Sequence, residues 1–559
     1  MSLFTYICIL LLASRLFAPA ASIARAAVVS GSRESSEIGA EVLRSGGNAA
    51  DAAVAVSMAL GVTEPFGSGL GGKAVILYYD RATERVSFIE SLDQAPLQFP
   101  VDDYRDASYQ TKTRSFKAVG TPGLVPGMWD LHQQFGTRPW AELVLPAAKV
   151  ARAGYLIDAH SAAIYSRSRQ SLRKNAEARK WYTVDGAAPE VGTRMANADL
   201  AFTLERLAYN GIEEFRSGAT ARMLAKGMAE GGGWITLADL QAYQAHRIEP
   251  LSSPWNEYEI YTAASPVAGG ATVLMSMMAM EQVRNDTDNF SAERLDLLGR
   301  VLRASYPRVF RHFGDDLTRD DARAETFSPG ALRDLKRAID QPLPVSSASY
   351  DRPQSADELS GLRSTTHFVV VDAAGNVASI TQSLSSRFGA AVIAPGTGFL
   401  LNNTMKNFAV NSTRSVNFIA EGKRPRSTIS TTMVLKDGQP YLALGAPGGQ
   451  RIPTAVAQIL SSVLVYGSSL EDAIKGPRFH LRRPLSRSES DRYVEIEPSY
   501  GEDRADMLRA YGWDVHFVEP SRYYFGGVNA VSIDTHSGEV TAVADPRRLN
   551  VAVELSGSN

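Results

Sequence analysis

Four segments far apart in the chain share one design: two runs of β-branched or aromatic residues around a short polar turn. Residues 74–89 read AVILYYD-RATE-RVSFI, 366–381 THFVVVD-AAGN-VASIT, 431–445 TTMVL-KDGQ-PYLALG, and 529–544 NAVSID-THSG-EVTAVA. Each is a β-hairpin pattern. Several arms are almost wholly apolar, which predicts strands covered on both faces. Helical patterns fill the intervals. Glu37–Arg44 stops at Ser45-Gly46-Gly47, and Asn48 is placed to cap an Ala-rich helix through Ala59. Further helices are expected around 140–153, 198–209, 217–230, 237–243, 269–283, 291–314, 454–466, 469–475 and 501–511. With strands at both ends of the chain and helices in the middle third, a row of independent domains does not fit. The pattern predicts one α+β body in which distant hairpins pair into two central sheets.

Composition narrows the function. Of 559 residues, 44% are hydrophobic and 21% charged, with 58 Lys and Arg against 60 Asp and Glu and no basic stripe, so nucleic acid is not an expected partner. Residues 1–26 read as a secretory signal: the apolar run Tyr6–Ala13 precedes the small-x-small stretch Ala24-Arg25-Ala26. No basic residue precedes that run and Arg15 interrupts its continuation, which leaves an uncleaved amphipathic anchor as the alternative. The run is too short for a stable membrane span. A secreted or periplasmic location is expected. The one cysteine, Cys8, lies in this leader, so a mature chain beginning near Ala27 has no disulfide and no Cys-ligated metal. The eight His show no His-Glu-x-x-His spacing, and no metal or cofactor is expected.

The chemistry points to Thr365-Thr366-His367, where a strand begins abruptly. Cut before Thr365, the chain would carry a hydroxyl nucleophile and an α-amine base on one residue. An α-amine titrates at about 7.7–8.0, so part of it is free at neutral pH. This is the N-terminal Thr form of activated nucleophile, needing no His or Asp partner. Taken alone, a Thr at this place simply opens a strand.

Further motifs give the Thr its context: Gly46-Gly47-Asn48-Ala49, Glu64-Pro65 with Ser68-Gly69-Leu70-Gly71-Gly72, Gly120-Thr121-Pro122-Gly123, Leu400-Leu401-Asn402-Asn403, Lys423-Arg424-Pro425, Pro447-Gly448-Gly449 and Asp545-Pro546-Arg547. In order and spacing, from about residue 27 to 550, the chain resembles the γ-glutamyltranspeptidase family of N-terminal-nucleophile hydrolases. The resemblance implies a four-layer αββα sandwich with two central antiparallel sheets. It implies a precursor that cuts its own Ser364–Thr365 bond into a large subunit (27–364) and a small subunit (365–559), which stay together as a heterodimer. It further implies that Ser383 hydrogen-bonds the nucleophile, that Gly448 and Gly449 form the oxyanion hole, and that Ser427 and Thr428 bind the acyl group's α-carboxylate. The expected partners are a γ-glutamyl or related amide and, as acceptor, water or an amino acid or peptide.

The chain departs from the family pattern in the acyl pocket. Leu92 stands where the family carries a carboxylate-binding Arg. Asn407 stands where an Asp binds the α-amino group. Ser385 and Thr404 replace longer amide side chains. Leu cannot form the bidentate pair with a carboxylate, and Asn lacks the charge opposite an ammonium. Arg387, Lys406 or Arg426 could supply a new cation, with Arg426, beside Ser427, the first choice. The segment Ala409–Gly422 is shorter than the pocket-covering loop of many relatives, which favours bulky acyl groups and hydrolysis over transfer. These losses resemble the cephalosporin-acylase-like branch. Three readings follow: a secreted γ-glutamyltransferase or glutathione hydrolase, an amidase for glutaryl-like acyl groups, and an inactive relative with a binding role. The intact Thr365, Ser383, Gly448 and Gly449 speak against the last.

Overall fold

Alternate residues of the first strands part into two packing environments. Ala27, Val29, Val75, Leu77, Val369 and Val371 join one apolar cluster, while Val28, Ala74, Ile76, Phe368 and Val370 join another. A sheet with a side-chain period of two, buried on both faces, produces this division. The protein is described here by a computed structural model covering residues 24–283, 288–315, 321–343, 365–482, 490–518 and 524–556.

Its strands form two large sheets. The first contains β1 (Ala24–Ser30), β2 (Lys73–Asp80), β3 (Arg85–Ser91), β4 (His246–Ile248), then β7 (Thr366–Val371), β8 (Val377–Ser383) and β13 (Val551–Ser556), in the order β13-β1-β7-β8-β2-β3-β4. The second contains β5 (Leu251–Trp255), β6 (Tyr258–Thr262), β9 (Thr432–Lys436), β10 (Gln439–Gly445), β11 (Asn529–Ile533) and β12 (Val540–Ala544), in the order β12-β11-β10-β9-β6-β5. Neighbours in both sheets run antiparallel. The four expected hairpins are β2–β3, β7–β8, β9–β10 and β11–β12.

Helices cover the outer faces. Against the first sheet lie α1 (Arg33–Arg44), α2 (Ala49–Thr63), α3 (Leu124–Phe135), α4 (Trp140–Ala153) and α5 (Ala198–Asn210). Against the second lie α6 (Ala268–Val283), α7 (Ala292–His312) and α8 (Arg451–Leu464). The result is the αββα order. Asn48 caps α2 in a reciprocal box with Asp51, as its position suggested. All fifteen residues of α2 are buried, which its Ala-rich composition permits. Helix α3 and the helices Ala159–Leu172, Ala176–Tyr182 and Pro329–Asp340 were not among the sequence expectations.

Ala24–Ala26, read as a leader cleavage site, opens β1; Ala24 and Ala26 pair with Ser556 and Leu555. The apolar run Tyr6–Ala13 and the residue Ser364 lie outside the described residues. Among the described residues no helix is long and apolar enough to cross a membrane.

Candidate active site

Thr365 immediately precedes β7 and is 5% exposed. Its Oγ1 lies 2.9 Å from Ser383 Oγ at the end of β8, one step beyond the Thr366–Gln382 pair. Antiparallel register alone brings the two hydroxyls together. The backbone N–H of Ser385 donates to Ser383 Oγ at 2.9 Å, and Arg548 donates through Nη1 to the Thr365 carbonyl at 3.2 Å. Glu64 is buried beside Thr366, and burial raises its carboxyl above the usual range. Two residues into β7, His367 is fully buried and bonded through Nδ1 to Thr381 Oγ1 at 2.8 Å. Burial pulls its pKa down to about 3, so this imidazole is neutral and is a packing element, not a base for the reaction.

The glycine-rich stretch before β2 has a steric reason. A Cβ on Gly72 would sit 2.5 Å from the Ser383 carbonyl oxygen, and one on Gly71 2.2 Å from that of Leu400. Only glycine permits these approaches. They seat Lys73, the first residue of β2, directly opposite Ser383. Asn402 ties this region to the next: its Nδ2 donates to the carbonyls of Gly71 and Gly120, and its Oδ1 accepts from the N–H groups of Gly120 and Thr404.

Lys73 is the site residue that sequence reasoning missed. Its Nζ donates to Ser385 Oγ at 2.6 Å and Thr404 Oγ1 at 2.8 Å, and it pairs with Asp93 at 3.3 Å. Both members are buried, with side-chain exposures of 5% and 0%. Burial pushes Asp93 up to about 7 and Lys73 down, and each partner's charge opposes the other's shift. Asn407 Nδ2 reaches the same Ser385 oxygen at 3.3 Å. The expected pocket residues Ser385, Thr404 and Asn407 therefore converge, and they converge on a cation.

Other expected residues are placed differently. Leu92 is fully buried in the apolar cluster between the sheets. Arg426, the first choice for a substitute cation, donates to the Phe310 and Phe313 carbonyls near the end of α7 and stacks over the Phe310 ring at 4.4 Å. In this structure its Nη1 is bonded to the end of α7. Lys406 donates to Ser386 Oγ, and Arg387 is 2% exposed.

Gly448 and Gly449 follow β10, whose last residue, Gly445, packs against the His367 ring; a Cβ there would lie 2.5 Å from it. Their φ values of 141° and 64° favour glycine. Among the described residues neither of their N–H groups is committed to a partner. Thr428 Oγ1 donates to the Gly449 carbonyl at 3.0 Å, bracing this loop, while Ser427 Oγ accepts from the Ile429 N–H at 3.2 Å. Such a pair of free N–H groups suits a developing oxyanion. Among the described residues no group of three or more His, Cys, Asp or Glu is placed to hold a metal.

A sequence profile of the family described as Gamma-glutamyltranspeptidase matches residues 35–555. The chain is 30% identical over 542 residues to a glutathione hydrolase proenzyme of Bacillus subtilis (strain 168), covering 93% of this chain and 90% of that one. It is 30% identical over 551 residues to an acylase ACY 1 proenzyme of Pseudomonas sp. (strain V22), covering 95% and 94%. Among solved structures, a cephalosporin acylase from Bacillus halodurans superposes with a TM-score of 0.85 at 20% identity, covering 96% of this chain and 97% of that one. The Helicobacter pylori gamma-glutamyltranspeptidase matches with a TM-score of 0.54 at 25% identity, covering 60% and 97%.

Proposed function

The chain belongs to the gamma-glutamyltranspeptidase family, and on that premise we propose that it is a self-cleaving threonine amidase acting on γ-glutamyl or closely related acyl amides. The 2.9 Å contact between Thr365 and Ser383 carries this reading. In the precursor, the Thr365 hydroxyl attacks the Ser364 carbonyl, the acyl group moves from N to O, and water hydrolyses the ester. The products are a Ser364 carboxylate and a free Thr365 amine. In the mature enzyme that amine takes the hydroxyl proton as Oγ1 attacks the substrate amide, and the departing amine carries the proton away. Water then releases the acid, or an amino acid or peptide accepts the acyl group. Ser383 orients the nucleophile. The Gly448 and Gly449 N–H groups stabilise the oxyanion, each donor contributing about 3–4 kcal/mol in comparable sites. The N-terminal segment read as a secretory signal makes a secreted or periplasmic location part of this proposal.

A second reading keeps the nucleophile and changes the acyl group to glutaryl-like chains without an α-amino group. The position of Lys73 among Ser385, Thr404 and Asn407 favours it.

The test of the shared mechanism is Thr365→Ala. It should remain one uncut chain and release no aniline from either a γ-glutamyl or a glutaryl p-nitroanilide, while the natural chain runs as two bands. Two bands, or turnover, from the variant would remove Thr365 from the mechanism.

A further inference from the structure

Two bonds hold the residue that a cut before Thr365 makes terminal. Ser383 Oγ lies 2.9 Å from its hydroxyl, and Arg548, in the loop between β12 and β13, donates to its carbonyl at 3.2 Å. Hydroxyl and carbonyl hang from one tetrahedral Cα, so tethering both also fixes the α-nitrogen beside the hydroxyl it is to deprotonate. The Arg548 side chain is seated for this. It is buried, and Gly527 makes room for its stem: a Cβ there would lie 2.6 Å from Arg548 Cδ. Burial pulls its pKa down to about 10, against the charges of Glu64 and Asp545, so it remains a cation at neutral pH. A residue's carbonyl oxygen lies about 3 Å from its own nitrogen, which puts Arg548 Nη1 within roughly 6 Å of the α-amine. A like charge at that range disfavours the protonated amine.

The other charges around this end of β7 leave that field standing. Lys73, opposite Ser383, is paired with Asp93, and Asp545 is paired with Arg478 and Arg547. Arg387 is a further cation, close enough for the Arg548 charge to lower its pKa. His367 is neutral. Glu64, just past the end of α2, is the carboxylate that tempers Arg548; burial raises it, while the Thr366 hydroxyl and the Arg548 charge pull the other way. We propose that Arg548 is a positioning residue for the reaction: it aims the Thr365 α-amine at the hydroxyl and, as a fixed positive charge beside it, keeps that amine unprotonated at neutral pH. The inference rests on Thr365 being the nucleophile.

The test is the acid limb of kcat/KM against pH, which reports the base of the free enzyme. The substrate is whichever of γ-glutamyl and glutaryl p-nitroanilide the processed enzyme hydrolyses. The natural enzyme should show this limb about one unit below the ordinary α-amine range of about 7.7–8.0. Arg548→Gln keeps an N–H donor and removes the charge. Its limb should return to the ordinary range, with kcat/KM about five- to tenfold below the natural enzyme near pH 6.5 and recovering above about pH 9. Arg548→Lys keeps the charge and should leave the limb where the natural enzyme has it. An Arg548→Gln variant that loses activity equally at every pH, or an Arg548→Lys variant whose limb moves as far as that of Arg548→Gln, would overturn the proposal. Should Arg548→Gln stay uncut, the natural enzyme decides, since a limb in or above the ordinary range overturns the proposal and one clearly below it upholds it. A natural chain that is cut and active with an ordinary limb overturns this inference alone, whereas one that is uncut and inactive on both anilides removes the nucleophile as well.

Discussion

At the scale of single residues, the site is a chain of hydroxyls held by backbone register and one buried cation. Ser383 touches Thr365, the proposed nucleophile, directly, so Ser383→Ala should lower kcat about 10–100-fold with little change in KM, the cost of one strong hydrogen bond; steady-state kinetics on a p-nitroanilide checks it. Gly72→Ala should fail for a different reason. Its Cβ would lie 2.5 Å from the Ser383 carbonyl oxygen, and backbone on backbone has little room to give. Overpacking costs about 1–3 kcal/mol, so a lower urea midpoint is expected together with slower precursor cleavage. Thr365 stood out in the sequence because a strand opens abruptly there, whereas Ser383 was named only through the family resemblance; the register of β7 and β8 is what brings the two hydroxyls together. Lys73 was not legible: it stands between a glycine motif and an apolar strand, and no local pattern singles it out. Its role exists only once Asp93, Ser385 and Thr404, each from a different segment, surround it.

At the scale of elements, two buried features make stability depend on pH and on charge. His367 has an unfolded pKa of about 6.5 and a folded value of about 3. Between these values the unfolded chain binds the extra proton, so the stability that neutral His367 contributes is full above about pH 6.5 and is lost as pH falls toward 3. His367→Gln should therefore show a shallower loss of stability between pH 7.5 and 4.5 than the natural chain, read from urea midpoints. Glu90 on β3 is fully buried and pairs with Arg424 at 3.2 Å, and Arg424 also donates to the Gln244 carbonyl. Arg424→Leu would strand that carboxylate and should cost about 3–5 kcal/mol, whereas adding Glu90→Leu should recover part of the loss. Arg424 was noticed in the sequence as part of a motif; that the motif joins β3 to the loop before β9 could be seen only in three dimensions.

At the scale of the molecule, the strand order explains how a cut chain can hold together. Residues before Thr365 supply β1 to β6, and those after it supply β7 to β13. In the first sheet β1 lies between β13 and β7, and in the second β9 pairs with β6, so the two parts are interleaved in both sheets. Processed protein should elute as one species under native conditions and separate only on denaturation. Two central sheets were readable from four apolar hairpins, whereas the αββα layering was implied by the family resemblance. Helices such as α3 were missed because Pro126 and Gly127 fall within it and disguise its period, and tertiary packing against β2 and β3 overrides that weakness. The central claim is that Thr365 becomes an N-terminus, and the direct measurement is the intact mass and N-terminal sequence of the purified small chain. The account predicts a fragment beginning Thr365-Thr366-His367. An active enzyme that remains a single chain, or whose small fragment begins at any other residue, would contradict it.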